Sequence, residues 1–432
     1  MNGNIVNYLE GILPSLPPEI ISPETYSKLY KLCAVFQDFA ASEYIMETSL
    51  NKDAAEADFS FRILTGEKPC LTKGLRSDIF STLSANETWM RIIEFVKDWP
   101  QDIEDVWLEM DYGECDKDIP QPCFFFNASQ VKKGHYVDHD LLFGALKHLL
   151  DQEQLDKLRV NLKGVIDRLP TEVGLFQVGA MLARNRDRVR IFTGELTREQ
   201  TVQYLDNIGW ASLSQLDRLF EAVHQYSDGQ YILDFDVSEQ GASEKIGINF
   251  GLGKTTMLLP FMEGLVEQRW CTDIKKRGVL SWSGCRGSFL GDDYGYTALI
   301  KDISHFKISY SPEEGFKAKA YLRVAGIYLK ELLKAKAVPN WLHAGEQQAE
   351  IKQPGYKEMQ NIFKKIAQKA MLEKDFRQLC LSDSKAAIQK MINGNAVIPD
   401  NIVFLEEDGD GIEDGFAYVL PPFIKPSWLS GK

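Results

Sequence analysis

The chain has 432 residues, 44% of them hydrophobic and 26% charged, which is ordinary globular usage with length enough for one large core and a small second one. A net charge of -13 and a pI near 5.1 make nucleic acid and anionic membrane surfaces poor partners, because the bulk field repels polyphosphate. No run of about 18 apolar residues occurs and residues 1–11 lack a basic region followed by an apolar one, so the expected location is the cytoplasm.

Hydrophobic period along the chain predicts pairs of alternating segments separated by helical stretches. The first pair is 43–49 and 58–65, followed by a helix over 88–97 with Trp89, Ile92, Ile93 and Val96 at helical spacing. The second is 106–112 and 123–127, followed by helices within 141–168. The third is 176–183 and 188–196, joined by a turn at 184–187, with helices opening at 197–201 and spanning 213–226. The fourth is 231–238 and 245–251, with helices near 258–270 and 273–279; the fifth is 305–309 and 316–324.

Ten strands and intervening helices thus recur as strand-strand-helix units. Consecutive hairpins most simply make an antiparallel sheet with helices on one face, and ten strands can curl shut to remove their edges. In each strand one parity is apolar, as in Phe59, Phe61 and Ile63 or Ile246, Ile248 and Phe250. The other is charged or aromatic: Glu43 and Glu47; Arg62; Trp107, Glu109 and Asp111; Arg188 and Arg190; Asp234 and Asp236; Lys245 and Asn249; His305 and Lys307; Lys317, Lys319, Tyr321 and Arg323. In a closed barrel with helices outside, that set lines a wet, charged chamber, since ten strands enclose more space than side chains fill. An open sheet with a solvated polar face explains the same alternation. The expected class is α+β, a ten-stranded antiparallel barrel with a small C-terminal module.

Five such units around a polar lumen resemble the aromatic prenyltransferase barrel of indole, soluble aromatic and cyanobactin peptide prenyltransferases, over about residues 20–335. The resemblance implies that Glu47, in Met46-Glu47-Thr48-Ser49, faces the acceptor as proton acceptor. It implies a diphosphate cradle of Arg62, in Phe59-Ser60-Phe61-Arg62, with Arg188, Arg190, Lys317, Lys319 and Tyr321. Guanidinium and ammonium groups stabilise the leaving diphosphate, aromatic rings shelter an allylic cation, and a carboxylate removes the acceptor's proton. Trp107, Glu109, Lys245, Asn249 and Lys307 are further lumen candidates. The fourth strand departs from the family, reading Cys123-Phe124-Phe125-Phe126 where a Lys-x-Tyr pair is usual.

The C-terminal run from Lys364-Lys365-Ile366-Ala367 through Asp375-Phe376-Arg377, Ser384-Lys385-Ala386, Ile398-Pro399 and Ile402-Val403-Phe404-Leu405 to Ala417-Tyr418-Val419-Leu420-Pro421-Pro422 resembles leader peptides derived from the nitrile hydratase α subunit. It predicts two short amphipathic helices, a strand, a Gly-Asp-rich turn and a returning strand. The cysteine motif of nitrile hydratase, C-x-x-C-S-C, is absent, so nitrile hydration is not expected. The expected division is residues 1–338 as the barrel, 339–355 as a linker and 356–432 as the leader-like module.

Other motifs have plainer readings. Gly251-Leu252-Gly253-Lys254-Thr255-Thr256 has Ile248 where a phosphate loop needs its first glycine, so it reads as a hairpin exit. Residues 408–414 read as a turn rather than a calcium loop. The seven cysteines never fall in a C-x-x-C spacing, His135 and His139 read as loop or helix cap, and residues 281–288 read as an ordinary loop, so neither a disulfide framework nor a metal site is expected.

The leading expectation is transfer of an allylic group from its diphosphate to an aromatic or peptide acceptor in a ribosomal peptide modification pathway, without a resident cofactor and with magnesium as an optional companion of the diphosphate. The alternative is a non-catalytic binding or scaffold protein whose C-terminal module recruits peptide-maturation enzymes.

Overall fold

The computed structural model of the protein describes residues 5–35, 43–72, 86–112, 120–184, 187–290, 295–328, 356–392, 402–406 and 416–420; the expected linker 339–355 and the turn at 408–414 lie outside them. The chain forms two compact units, one of Leu16–Trp282 with Ile303–Arg323, the other of Met1–Ser15, Ser283–Asp302 and Val324–Lys432.

In the first unit β1 (Glu43–Ser49), β2 (Asp58–Leu64), β3 (Asp105–Met110), β4 (Pro122–Asn127), β5 (Leu175–Ala180), β6 (Val189–Leu196), β7 (Tyr231–Ser238) and β8 (Gly241–Phe250) each pair antiparallel with the next. Three further strands follow in the chain, β9 (Gly284–Phe289), β10 (Tyr296–Ser311) and β11 (Gly315–Tyr328). β11 lies between β10 and β1, and β8 pairs with β10, Ile246 opposite Tyr310 and Phe250 opposite Phe306. That last pairing closes ten strands into a barrel and decides against the open sheet.

The helices occupy the intervals between hairpins. α1 (Ile5–Ile12) and α2 (Pro23–Cys33) precede β1; α3 (Glu87–Lys97) follows the first pair; α4 (His139–Leu146) and α5 (Gln152–Asp167) follow the second; α6 (Arg198–Asn207) and α7 (Ser214–Val223) the third; α8 (Leu258–Glu267) and α9 (Asp273–Leu280) the fourth. Their starts are set by local chemistry. Asn86 accepts from the Thr88 and Trp89 amides, and Asp151 with Gln154 and Thr197 with Gln200 form reciprocal capping boxes.

The barrel's core is the layer between strands and helices. α3 buries Trp89, Ile92, Ile93 and Val96, and Phe95 meets Phe124 edge-on at 4.7 Å and stacks on Phe126 at 6.1 Å. Phe220 meets Tyr231 at 5.0 Å and Phe261 meets Phe306 at 4.8 Å. Burying each such ring contributes roughly 2 kcal/mol, so this layer holds the helices on the apolar parity and leaves the polar parity for the lumen.

The second unit differs from its sequence reading in three ways. Residues Gly284–Phe289 are a strand, β9, paired antiparallel with the first part of β10 from Gly284–Lys301 to Phe289–Tyr296, where a loop was expected; glycine and serine masked its alternation, yet Cys285 is buried. The C-terminal segment makes three helices, α10 (Tyr356–Leu372), α11 (Lys374–Ser382) and α12 (Ser384–Gln389), because Asp383 caps a third, accepting from the Ala386 amide. Its strands β12 (Ile402–Leu405) and β13 (Phe416–Val419) run parallel, Phe404 opposite Tyr418, and so do not form the expected hairpin. Parallel neighbours must be reached by a connection that returns the chain to the same end, which a tight turn cannot provide. Phe363, Phe376, Phe404 and Tyr418 share a core with Cys285, Tyr296 and Ala298.

Candidate functional site

The inward parity of the barrel builds a chamber of about 430 Å³. One part of its wall is aromatic. Trp107 on β3 is the cross-strand partner of Phe125 on β4, and Phe125 meets Phe192 on β6 edge-on at 5.8 Å. Gly179 on β5 makes this possible: a Cβ there would stand 2.1 Å from Phe125 Cδ1, so only glycine lets the ring lie across its neighbour. On β10 and β11, His305 stacks on Tyr321 with ring centroids 4.0 Å apart. Burial, with Lys307 nearby, pulls His305 down to about 4, so its ring is neutral at neutral pH.

A second compartment of about 360 Å³ lies toward the strand ends that carry Ser49, Asp236, Lys245 and Lys317, and it shares Arg184, Arg190, Lys307 and Lys319 with the first. Seven cations line it, Lys52, Arg184, Arg190, Lys245, Lys307, Lys317 and Lys319, against three carboxylates, Asp234, Asp236 and Glu314. In a chain of net charge -13 this is a local concentration of cationic side chains, offset in part by Glu47, Glu109 and Asp111, which pair with Lys319 and Arg184.

Most of these cations are already held by carboxylates. Lys319 bonds Glu47 Oε1; Lys307 Nζ reaches Asp234 Oδ1 at 2.7 Å; Arg190 Nε reaches Asp236 Oδ1 at 2.7 Å; Lys245 and Lys317 share Glu314 at 2.7 Å each. Asn249 Nδ2 donates to Asp234 at 2.8 Å, and Gly247 leaves the space through which Lys307 crosses, since a Cβ there would stand 2.2 Å from Lys307 Cε. Arg184 is divided between two carboxylates, Nη2 at 2.7 Å from Glu109 Oε1 and Nε at 2.5 Å from Asp111 Oδ2.

The carboxylates consequently differ in basicity. Burial alone would raise Glu47, but the ammonium groups of Lys319 and Lys307 and hydrogen bonds from Lys319 and Tyr321 hold it at about 2. Burial pushes Glu109 up to about 7, with Glu47 and Asp111 adding to the effect, because the single guanidinium it shares does not compensate. Asp58, also buried and beside Glu47 and Asp111, is raised to about 6. Burial pulls Lys307 below the ordinary lysine value, whereas Lys319, drawn up by Glu47, lies above it.

The structure brings Glu47, Arg190, Lys319 and Tyr321 together with Trp107, Glu109, Asn249 and Lys307 in the chamber. Lys317 and Lys245 stand at the rim of the cationic compartment. Arg62 lines the chamber at its other end, where Nη2 meets Asp105 Oδ2 at 2.7 Å and a buried Nε has no hydrogen-bond partner among the described residues. Arg188 is half-buried, pairs with Asp187 at 3.2 Å and lines neither compartment. Sequence reasoning missed Arg184: its amide bonds the Met181 carbonyl at 3.0 Å, and this turn erases the alternation that marks lumen positions elsewhere. It missed Asp105 as the partner of Arg62, and Phe125 and Phe192 as lumen aromatics.

The site is therefore a closed antiparallel barrel whose lumen joins an aromatic wall to a cationic end. No family model and no curated protein matches the chain. Among solved structures the chain is similar to 6-dimethylallyltryptophan synthase from Micromonospora olivasterospora in complex with DMASPP and Trp, at 11% identity over 74% of this chain and 97% of that one, with a TM-score of 0.48. It is similar also to AnaPT from Neosartorya fischeri, at 11% identity over 75% of this chain and 92% of that one, with a TM-score of 0.44. Among the described residues no helix is long and apolar enough to cross a membrane.

Proposed function

We propose that the chain transfers an allylic group from its diphosphate to an aromatic or peptide acceptor inside the barrel. The observation that carries this reading is the joining of the two compartments: seven cations against three carboxylates at one end, continuous through Arg184, Arg190, Lys307 and Lys319 with a wall of Trp107, Phe125, Phe192 and Tyr321. The cations bind the diphosphate and stabilise the charge that develops as the carbon–oxygen bond breaks; the rings cover the allylic cation and exclude water from it. In this arrangement the diphosphate lies toward Arg190, Lys317 and Lys319, away from Arg62. No resident cofactor enters the proposal, and magnesium is left as a companion the diphosphate brings with it. The resemblance of residues 364–422 to leader peptides supports placing this activity in a ribosomal peptide modification pathway, with peptide-maturation enzymes as partners.

A second reading, a non-catalytic binding or scaffold protein, is favoured by one observation: Lys319, Lys307, Arg190 and Arg184 are each already paired with a carboxylate, which is what a barrel needs merely to tolerate an ionic interior. Calorimetric titration with dimethylallyl and geranyl diphosphate, with and without magnesium, separates the two. Transfer predicts saturable binding that Arg190→Ala and Lys319→Ala each weaken and Arg62→Ala does not. No heat at millimolar ligand defeats the transferase reading, and loss in Arg62→Ala alone would move the diphosphate to the other end.

A further inference from the structure

Within the transferase reading, on which this inference rests, we propose that Glu109 is the acceptor-side carboxylate: it hydrogen-bonds the acceptor's N–H or O–H and takes the proton that the acceptor loses. The resemblance assigns that role to Glu47, and the geometry points away from it. Glu47 is engaged by Lys319 Nζ, which lines the cationic compartment, and by Tyr321. A carboxylate so held has little basicity left.

Glu109 is held by one guanidinium rather than by an ammonium group and a phenol. It projects from β3 two residues after Trp107, between cross-strand neighbours Ser60 and Cys123, and lines the chamber beside Phe125 and Phe192. One oxygen, Oε1, accepts from Arg184 at 2.7 Å; its other oxygen accepts no hydrogen bond from the described residues. The charged groups that act on it are Arg184 from the turn after β5, Glu47 from β1, Asp111 just past the end of its own strand, Arg190 from β6 and Lys319 from β11. Their balance, with burial, leaves it ionising near neutral pH, where a general base is most effective. Arg184 also fixes the carboxylate's orientation and ties it to the cationic end.

The step balances without a further reagent. The allylic carbon–oxygen bond breaks with its electron pair leaving on the diphosphate, the acceptor's nitrogen or oxygen bonds the allylic carbon, and the proton it carried passes to Glu109. Diphosphate and protonated Glu109 are the products, and solvent resets the carboxyl group.

The test uses the full chain and indole as the acceptor probe, its binding followed by calorimetry between pH 6 and pH 8, separately from binding of dimethylallyl diphosphate and from product formation. An N–H bonds a carboxylate about tenfold better than a carboxylic acid. With Glu109 titrating near 7, indole affinity then rises roughly fivefold from pH 6 to pH 8. Glu109→Gln should abolish that rise and cut turnover while leaving diphosphate affinity in place; Glu47→Gln should keep the rise but move it to lower pH, because the Glu47 charge helps raise Glu109. Near-UV circular dichroism checks that Glu109→Gln, which leaves Arg184 on Asp111, is folded. Persistence of the rise in Glu109→Gln, its loss in Glu47→Gln, or no indole binding at any pH overturns the assignment. A pH-dependent indole site without diphosphate binding defeats the transferase reading instead.

Discussion

Removing the Asp234 carboxylate should destabilise the barrel by about 3–5 kcal/mol, the cost of stranding one member of a buried ion pair. Asp234 is buried and accepts from Lys307 Nζ at 2.7 Å and from Asn249 Nδ2 at 2.8 Å. At that separation and an effective dielectric constant of about 20, the attraction lost in Asp234→Ala is about 6 kcal/mol before compensation. The loss is capped, because Lys307 can shed its proton: from an ordinary value near 10.4, doing so at pH 7 costs at most about 5 kcal/mol. Burial has already lowered Lys307 part of the way. Urea unfolding of the full chain, followed by tryptophan fluorescence, measures the difference. The penalty should shrink at pH 9.5, where the ammonium is easier to neutralise. The paired variant Asp234→Leu with Lys307→Met should recover most of the loss, since it strands no charge. A single-variant effect below about 0.5 kcal/mol, or a double variant no better than the single, would refute this account of the lumen.

Other consequences are as direct. Glu47, with a folded value of about 2 against an ordinary 4.5, contributes stability that is present above about pH 4.5 and lost as pH falls through 2; Glu47→Gln should lower stability at pH 7 and flatten the acid limb of a pH–stability curve. Glu109 has the opposite sign: with its value raised to about 7, the native state binds the extra proton, so wild-type stability falls between pH 5 and pH 7, and Glu109→Gln should reduce that slope, leaving the part due to Asp58. Gly179→Ala should cost about 1–3 kcal/mol and displace Phe125, read by unfolding and by weakened indole binding; an unchanged protein would mean the ring moves freely. Phe363→Ala, at a fully buried ring in contact with Tyr296, Phe404 and Tyr418, should cost about 3–5 kcal/mol in the second unit's unfolding; a smaller loss would show that its core is not packed as described.

An acidic chain with a cationic chamber has a simple electrostatic logic. The outer field disfavours anionic polymers, while the seven cations around the 360 Å³ compartment favour a small anion that can enter it. Because those cations are already paired, a diphosphate must displace carboxylates rather than fill an uncompensated hole. Under the transferase reading its affinity would be set by how well phosphate oxygens replace Glu314, Asp236 and Glu47, and it should fall with salt least for the buried pairs.

Period and capping are local, and for that reason they were legible. The five alternating pairs, the apolar face of α3 and the helix opening at Thr197 follow from side-chain chemistry within a few residues. Alternation also named most of the lumen, since a strand with one buried face fixes the direction of every second side chain. Closure was not local: only the pairing of Ile246 with Tyr310, 64 positions away, turns the polar face into a chamber. Nor was convergence. Arg62 and Lys317 share the inward parity, but register sends them to opposite ends, and a turn brings in Arg184, which no periodicity marks. The basicity of Glu47 and Glu109 was the least legible of all. Two glutamates on inward faces look alike in sequence, and tertiary structure separates them by giving one two ammonium groups and the other half a guanidinium.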